Sequence, residues 1–499
     1  MLRLIKFLMP VVLSALLVAL SFSSFNAWIL AWFGFMPFFL VLNNQNKAKA
    51  FLAGFSWGFV FWSFTIYWLV HVTLPGTVIL IIYLSVYSGI FAAFFSLISQ
   101  RCVTGRLLLI PSLWVCLEYL RSYLFTGFPW AVLAHSQYSN LPLIQIADLS
   151  GAWGISFLII LVNYSLYLAL TRARKQAFFG LIIPAVIVLC CLFYGYIRLG
   201  QADGLMRQAT EKAKICVIQA DIPQELKWDE YAAGFITQSY QDLTQEASLE
   251  APELIIWPEA AAPGLFGKDS KLFEDIFALP KVAKGNLLLG AVSRIEGEYF
   301  NSALFVGQDG RLKGVYHKLH LVPFGEYVPL KNLFPFLEGI APIGDISPGK
   351  EYTIFEKPAK FGVLICFEDL FPELSREFIK RGALFLVNIT NDAWYKQSSA
   401  SYQHLAASVF RAVENKVYLV RAANTGISAF ISPAGRIVSS VNKKGKLIFV
   451  RGFKTEDIYF AAGPATFYNR YGDYFVYLCL LFVICGIIQC FLHPRKQVN

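Results

Sequence analysis

The run Phe361-Gly362-Val363-Leu364-Ile365-Cys366-Phe367-Glu368-Asp369-Leu370-Phe371-Pro372-Glu373-Leu374 joins an apolar strand to a cysteine and then to an acidic helix start. Consecutive apolar residues of this length predict a buried strand, which holds a side chain rigidly at its C-terminal end. The turn after it aims the N–H groups of a new helix at the thiol of Cys366 and puts that thiol in a positive field. Free cysteine titrates near about 8.5, so a nucleophilic role needs a base and a cation brought from elsewhere in the chain. Without them Cys366 is one more small buried hydrophobe, the common fate of a free cysteine.

The surroundings of this run are set by composition. The chain has 499 residues, 56% hydrophobic and 15% charged, against about 25% charged in an ordinary soluble domain. The apolar surplus is concentrated in residues 1–200, whereas 201–465 reads as a globular mixture and 466–499 as a short apolar tail. A hydrocarbon core of about 30 Å needs roughly 20 helical residues. The windows 6–25, 27–42, 51–71, 76–99, 107–124, 153–171 and 177–197 meet or approach that length, and 472–492 adds an eighth. The expected organisation is transmembrane helices in 1–200, an extracytoplasmic domain in 201–465, and a last helix with a cytoplasmic tail in 466–499. The first window has a basic start but no small-residue cleavage site, so it is read as a span.

Lysine and arginine give the orientation. Arg3/Lys6, Lys47/Lys49, Arg101/Arg106, Arg172/Arg174/Lys175 and Arg495/Lys496 fall on one side if every span crosses, while the loop around Leu74-Pro75-Gly76 carries no charge. The basic side is then cytoplasmic. Arg121 and Arg198 alone run against the pattern. These anchors account for much of the formal net charge of +10, and with no aromatic-basic motif beside them no nucleic-acid partner is expected. Of nine cysteines only Cys216 and Cys366 lie in the outer domain, so a disulfide framework is not expected. Cys216, in the middle of a strand, is expected to face the core. Glu118 and Arg121, three apart on one helix, are expected to pair near the outer interface, and 126–150 reads as an interfacial loop.

The outer domain alternates short apolar runs with polar helical segments, an α/β pattern. Expected strands are Ile215–Gln219, Leu254–Trp257, Leu287–Val292, Ser302–Val306, Gly362–Ile365, Leu384–Ile389, Tyr418–Arg421 and Ile427–Ile431, and expected helices are Glu230–Ala247, Leu370–Arg381 and Ser401–Glu414. Phosphate-binding glycine loops and the serine-hydrolase elbow are missing. Histidine spacing offers no metal site. The domain does supply the partners that Cys366 needs. Glu259 closes the strand Leu254-Ile255-Ile256-Trp257-Pro258-Glu259, and Lys318 lies in Tyr316-His317-Lys318-Leu319-His320.

Carboxylate, ammonium and thiol in the contexts Trp-Pro-Glu, His-Lys and Cys-Phe-Glu resemble the Glu-Lys-Cys triad of the nitrilase superfamily. The strings 321–329, 388–394, 421–428 and 219–228 narrow the resemblance to the apolipoprotein N-acyltransferase family, over essentially the whole chain. Phe367 stands where that family commonly has tyrosine, and Tyr395 where it commonly has phenylalanine. The resemblance implies an α-helical transmembrane bundle of eight spans carrying a nitrilase-like αββα sandwich domain. It also implies a multi-pass protein of the bacterial inner membrane with its catalytic domain on the periplasmic side. The implied reaction moves an acyl chain from a phospholipid to Cys366 as a thioester, and then to the α-amine of the N-terminal diacylglyceryl-cysteine of an apolipoprotein. On this reading Glu259 is the general base, and Lys318 with the Phe367 N–H stabilises the oxyanion. Glu326 and Glu368 are carried over as residues that orient the lysine or the base; Trp228, Asn391 and Trp394 are carried over as substrate-facing or adjacent. No metal or cofactor is implied, and a monomer is expected.

A membrane-tethered nitrilase-type amidase is the alternative reading, and a transporter or scaffold with an inert nitrilase-like domain is a third. An amidase of soluble substrates gains nothing from eight spans, and a scaffold has no use for all three groups. Finally, the apolar, Pro- and Gly-rich segments 330–344 and 262–267 follow Glu326 and Glu259, and are expected to form a lid that dips into the outer leaflet.

Overall fold

In the computed structural model, which describes residues 2–100, 105–171, 174–227, 229–327, 346–460 and 465–492, every apolar window read as a span contains helix. Four helices, Leu74–Gln100, Arg106–Thr126, Ala152–Thr171 and Gly180–Gln208, are long and apolar enough to cross a membrane. The window 27–42 is not one straight helix: a 3-10 turn at Trp28–Trp32 precedes the helix Met36–Leu42. Gly34 lies at the break, where a Cβ would come within 2.8 Å of Leu30 O and 2.9 Å of Val18. The window 51–71 likewise divides into Lys47–Thr65 and a 3-10 turn, Tyr67–His71.

The chain divides into two compact units. The first comprises Met1–Gly200, Ser398–Ala406 and Thr466–Asn499. Within it the stretch 126–150, read as an interfacial loop, is buried over part of its length: Trp130 to Gln137 are all buried. Polar side chains hold that stretch. Arg121 donates to Phe128 O (2.5 Å) and Trp130 O (2.8 Å), and Glu118 Oε1 accepts from Leu133 N (2.7 Å). The two side chains lie 4.0 Å apart, so each is occupied more by the buried backbone than by the other. Arg198, the second cation against the charge pattern, pairs with buried Asp148 at 2.7 Å. Gln403 Oε1 accepts from the indoles of Trp68 (3.2 Å) and Trp130 (2.7 Å).

The second unit comprises Gln201–Gln397 and Ala407–Ala465 and carries two sheets. Its strands are β1 (Glu211–Gln219), β2 (Leu254–Ile256), β3 (Leu265–Phe266), β4 (Asn286–Ile295), β5 (Glu298–Val306), β6 (Leu312–His317), β7 (Phe361–Ile365), β8 (Phe385–Thr390), β9 (Tyr418–Ala423), β10 (Ala429–Ile431), β11 (Ile437–Ser440) and β12 (Gly452–Phe460). One sheet runs β12-β1-β2-β4-β5-β6 with β3 on β4, and the other runs β11-β10-β9-β8-β7. The sheets meet through β1 with β9 and β5 with β7. Helix Ala233–Ser248 packs on β1 and β12, Ser270–Ala283 on β4, and Pro372–Lys380 on β7 and β8.

All eight expected strands form, since β-branched runs bounded by polar turns have no better use for their backbone than a buried ladder. β6, β11 and β12 were not anticipated: Leu312-Lys313-Gly314-Val315-Tyr316-His317 and Gly452-Phe453-Lys454-Thr455-Glu456-Asp457 are too polar to signal burial, and pairing with β5 and β1 makes them strands. Cys216 is fully buried in β1 as expected, and burial pushes its thiol up to about 12.

In this unit two expectations are corrected. The helix read from Leu370 begins at Pro372, because Cys366–Leu370 winds as a separate 3-10 turn. The segment 262–267 is not a lid: Leu265 and Phe266 pair with Val292 and Ser293 of β4, and Phe266 packs on the core around Trp257 and Phe273. Backbone pairing satisfies its polar groups where a mobile loop would need water. The other lid segment, 330–344, and Trp228 lie outside the described residues.

Candidate active site

Glu259 stands just beyond β2, after the fully buried Trp257, which stacks on Tyr240 with ring centroids 4.7 Å apart and donates to Thr244 Oγ1 at 3.0 Å. The turn at Glu259 presses against Gly290 of β4, where a Cβ would come within 2.5 Å of Pro258 O and 2.6 Å of Glu259 Cα. Only glycine admits that approach. Lys227 Nζ donates to the carbonyls of Glu259 (3.0 Å) and Ala260 (3.2 Å).

Lys318 follows β6, its N–H donating to Asn301 O at 2.9 Å. Its ammonium is 1% exposed, 2.8 Å from Glu326 Oε2 and 3.9 Å from Glu259 Oε1. Asn301 of β5 bridges the two carboxylates, its Nδ2 donating to Glu259 Oε1 and Glu326 Oε1 at 2.8 Å each. An amide nitrogen with two N–H groups suits that fork. Glu326 Oε2 also accepts from Val322 N at 2.8 Å.

Cys366 follows β7 in the left-handed region, φ +54°. A non-glycine residue there carries about 1–3 kcal/mol of strain and persists only where its neighbours impose it. Glu368, fully buried, is one of those neighbours. Its Oε2 accepts from Ile365 N (2.7 Å), its Oε1 from Leu319 N (2.7 Å) and His320 N (3.1 Å), and both oxygens approach Tyr316 Oη. One carboxylate thus ties the backbone before Cys366 to the backbone after Lys318. Burial pushes the Glu368 carboxyl up to about 7, against those N–H donors and Lys318.

The electrostatics divide the labour. Burial, then Glu259, raise the Cys366 thiol well above its ordinary range while Lys318 opposes them, so the resting group is the neutral thiol. Burial works against the Lys318 charge, but Glu326, Cys366 and Glu259 outweigh it and hold the ammonium well above its usual range. A protonated thiol, a carboxylate to take its proton and a fixed ammonium beside them can carry out acyl transfer.

Of the expected site residues, Glu259, Lys318, Cys366, Glu326 and Glu368 come together. Phe367 is buried, its ring against Phe371 (5.3 Å) and His320 (6.3 Å). Asn391 caps the 3-10 turn Asp392–Tyr395 and donates to Gln224 Oε1 at 2.7 Å, while Trp394 is half-buried on that turn. Neither has a described bond to the Glu259, Lys318 or Cys366 side chains. The Tyr395 phenol is raised well above its usual range, first by burial and then by Cys366, Asp392 and Glu259.

Sequence reasoning missed Asn301, Tyr316 and Lys227. An asparagine or tyrosine within a strand carries no signal of its own, but Lys227 stood beside Trp228 in a string already singled out. Among the described residues no cluster of three or more His, Cys, Asp or Glu side chains could hold a metal ion.

Lys227 gives a pH prediction. Burial lowers its pKa to about 8, with Glu259 and Cys366 pulling the other way. Its charge is therefore present below about pH 8 and lost above. Single-turnover acylation of Cys366 should fall as pH rises through that value, and Lys227→Arg should move the fall upwards because a guanidinium does not titrate there. An alkaline limb unmoved by Lys227→Arg would exclude Lys227 as its source.

Residues 14–165 match the model of the apolipoprotein N-acyltransferase N-terminal domain, and 214–458 match the carbon-nitrogen hydrolase model. The chain is 39% identical to apolipoprotein N-acyltransferase of Geobacter metallireducens, covering 98% of this chain and 95% of that protein. It is 31% identical to apolipoprotein N-acyltransferase of Haemophilus ducreyi, covering 95% of each. A nitrilase superfamily member from Saccharomyces cerevisiae overlaps 50% of this chain and 91% of its own, at TM-score 0.37 and 18% identity.

Proposed function

This chain belongs to the apolipoprotein N-acyltransferase family, and from that premise we propose a two-step route through Cys366 for its N-acylation of lipoproteins. In the first step Glu259 takes the thiol proton as sulfur attacks the ester carbonyl of a phospholipid. Lys318 and the Phe367 N–H stabilise the tetrahedral oxyanion. Its collapse breaks the ester C–O bond, and the lysophospholipid leaves as an alcohol with the proton from Glu259. In the second step the α-amine of the diacylglyceryl-cysteine attacks the thioester and gives Glu259 a proton. An amide forms, and the returned proton restores the thiol.

The observation that carries this reading is the buried set Glu259, Lys318 and Glu326, with Asn301 bonded to both carboxylates, in electrostatic range of Cys366. The raised thiol makes a base obligatory, and Glu259 is the carboxylate beside the ammonium. Eight spans, an αββα sandwich and a periplasmic placement at the inner membrane complete the reading. They are supported by the apolar helices, by helices packed on both sheets, and by the distribution of lysine and arginine. A tethered amidase is less consistent with residues 14–165, which match an acyltransferase N-terminal domain.

Incubating purified protein with phospholipid alone and then taking its intact mass tests the first step. An acyl adduct released by hydroxylamine and absent from Cys366→Ala is expected. An unmodified protein, with phospholipid consumed only when a lipoprotein acceptor is present, would exclude a thioester on the route.

A further inference from the structure

Behind the thiol a row of three residues crosses the sheet in register: Leu364 of β7 opposite Asn388 of β8, and Asn388 opposite Arg421 of β9. Asn388 and Arg421 are completely buried. The Arg421 guanidinium donates to Asn388 Oδ1 (2.6 Å), to Asp369 Oδ2 and Ser408 Oγ (3.1 Å each), and to Asp392 Oδ2 (3.3 Å). Asn388 Nδ2 donates to the carbonyls of Leu364 and Cys366, at 3.1 Å each.

Donor and acceptor chemistry leaves one orientation for this amide. A guanidinium has no acceptor, so the oxygen of Asn388 must face Arg421, and its NH₂ must face the two carbonyls, which only accept. The Cys366 carbonyl is thereby anchored. In a trans peptide the C=O and the following N–H point in opposite directions, so anchoring the Cys366 oxygen turns the Phe367 N–H to the side away from Asn388. The positive φ of Cys366 is a conformation that relaxes unless something holds it.

We propose that Asn388 is a positioning residue for the oxyanion hole: it fixes the plane of the Cys366–Phe367 peptide so that the Phe367 N–H meets the developing oxyanion, and Arg421 fixes the orientation of Asn388. This rests on the thioester route above. Asn388 touches no reacting atom and acts through the peptide it holds. Asp369 and Asp392 both pair with Arg421, and Asp392 adds to the effects that raise the Cys366 thiol.

Two reactions of the same thiol test it. Acylation by phospholipid passes through an oxyanion, whereas alkylation by iodoacetamide displaces iodide at a saturated carbon and forms none. Asn388→Ala removes the donor and leaves Arg421 its other three partners; Asn388→Asp keeps the shape and the arginine contact but turns an acceptor towards two carbonyls. Both should slow acylation by about a hundredfold, the usual effect of losing one oxyanion donor, while in Asn388→Ala, which adds no charge, Cys366 is alkylated at the wild-type rate with an unchanged pH profile. Unchanged acylation in both variants would overturn the proposal. So would a parallel loss of alkylation in Asn388→Ala, which would mean that the row supports the thiol or the fold. Failure of the underlying route is distinguishable, because wild-type protein would then alkylate and never acylate.

Discussion

Cys366→Ala should abolish acyl transfer, and Glu259→Gln should lower it by about a hundredfold to ten-thousandfold, the range of a lost general base. The first removes the atom that, on the proposed route, carries the acyl group from one lipid substrate to the other. The second keeps the size and hydrogen bonding of Glu259 but cannot take a proton. Burial and then Glu259 raise the thiol, with Lys318 opposing them, so the proposed attack depends on a base. Cys366→Ser should be nearly as inactive as alanine, since an alkoxide is harder to form and an ester yields less readily to an amine. Rates of phospholipid-dependent acylation and of transfer to a lipoprotein peptide measure both steps. Substantial transfer by Cys366→Ala would remove the covalent route altogether, and wild-type rates in Glu259→Gln would assign the base elsewhere.

Lys318→Met is expected to have the second-largest effect, and on two quantities at once. Acylation should fall by at least about a hundredfold, because on the proposed route the ammonium is one of the oxyanion donors. Stability should fall as well. Glu326 at 2.8 Å and Glu259 at 3.9 Å would lose their ammonium partner in a site where Lys318 is 1% exposed, and breaking a buried ion pair by removing one partner costs about 3–5 kcal/mol. Removing Glu326 too should recover part of that loss, so the double variant Lys318→Met with Glu326→Gln should melt above Lys318→Met alone while remaining inactive. Thermal unfolding in detergent, followed beside single-turnover acylation, separates the two. If the single variant melts like wild type, the ion pair is not what holds these segments. If the double variant regains activity, Lys318 serves to neutralise Glu326 and not to bind the oxyanion.

Much of the site was legible in one dimension because two of its central residues close apolar runs. Glu259 ends one strand, Cys366 another, and a polar side chain at the end of a buried strand is conspicuous. Lys318 was legible only through its His-Lys context, since the strand that delivers it, β6, is too polar to announce itself. Asn301 was invisible: nothing in Phe300-Asn301-Ser302 distinguishes an amide that forks between two carboxylates from one that faces water. The stretch from Trp130 to Gln137 was misjudged for a related reason. Trp130, Tyr138 and two prolines within 126–150 suggest an interface, but Glu118 and Arg121 supply backbone groups of Phe128, Trp130 and Leu133 with partners.

By itself the sequence determined the division into apolar and globular regions, the helices of the first, eight strands of the second, and the chain order of carboxylate, ammonium and thiol. These follow from local signals, since hydrophobic period and turn chemistry act over a few residues. Only the tertiary structure decided how the groups are held. The two carboxylates joined by Asn301, the four groups that meet at Glu368, the Lys227 ammonium on the Glu259 turn and the row from Arg421 through Asn388 to the Cys366 carbonyl all connect distant segments. A buried polar group must find its partners among whatever the fold brings within about 3 Å, and which segments those are is settled by strand order and not by neighbours in the chain.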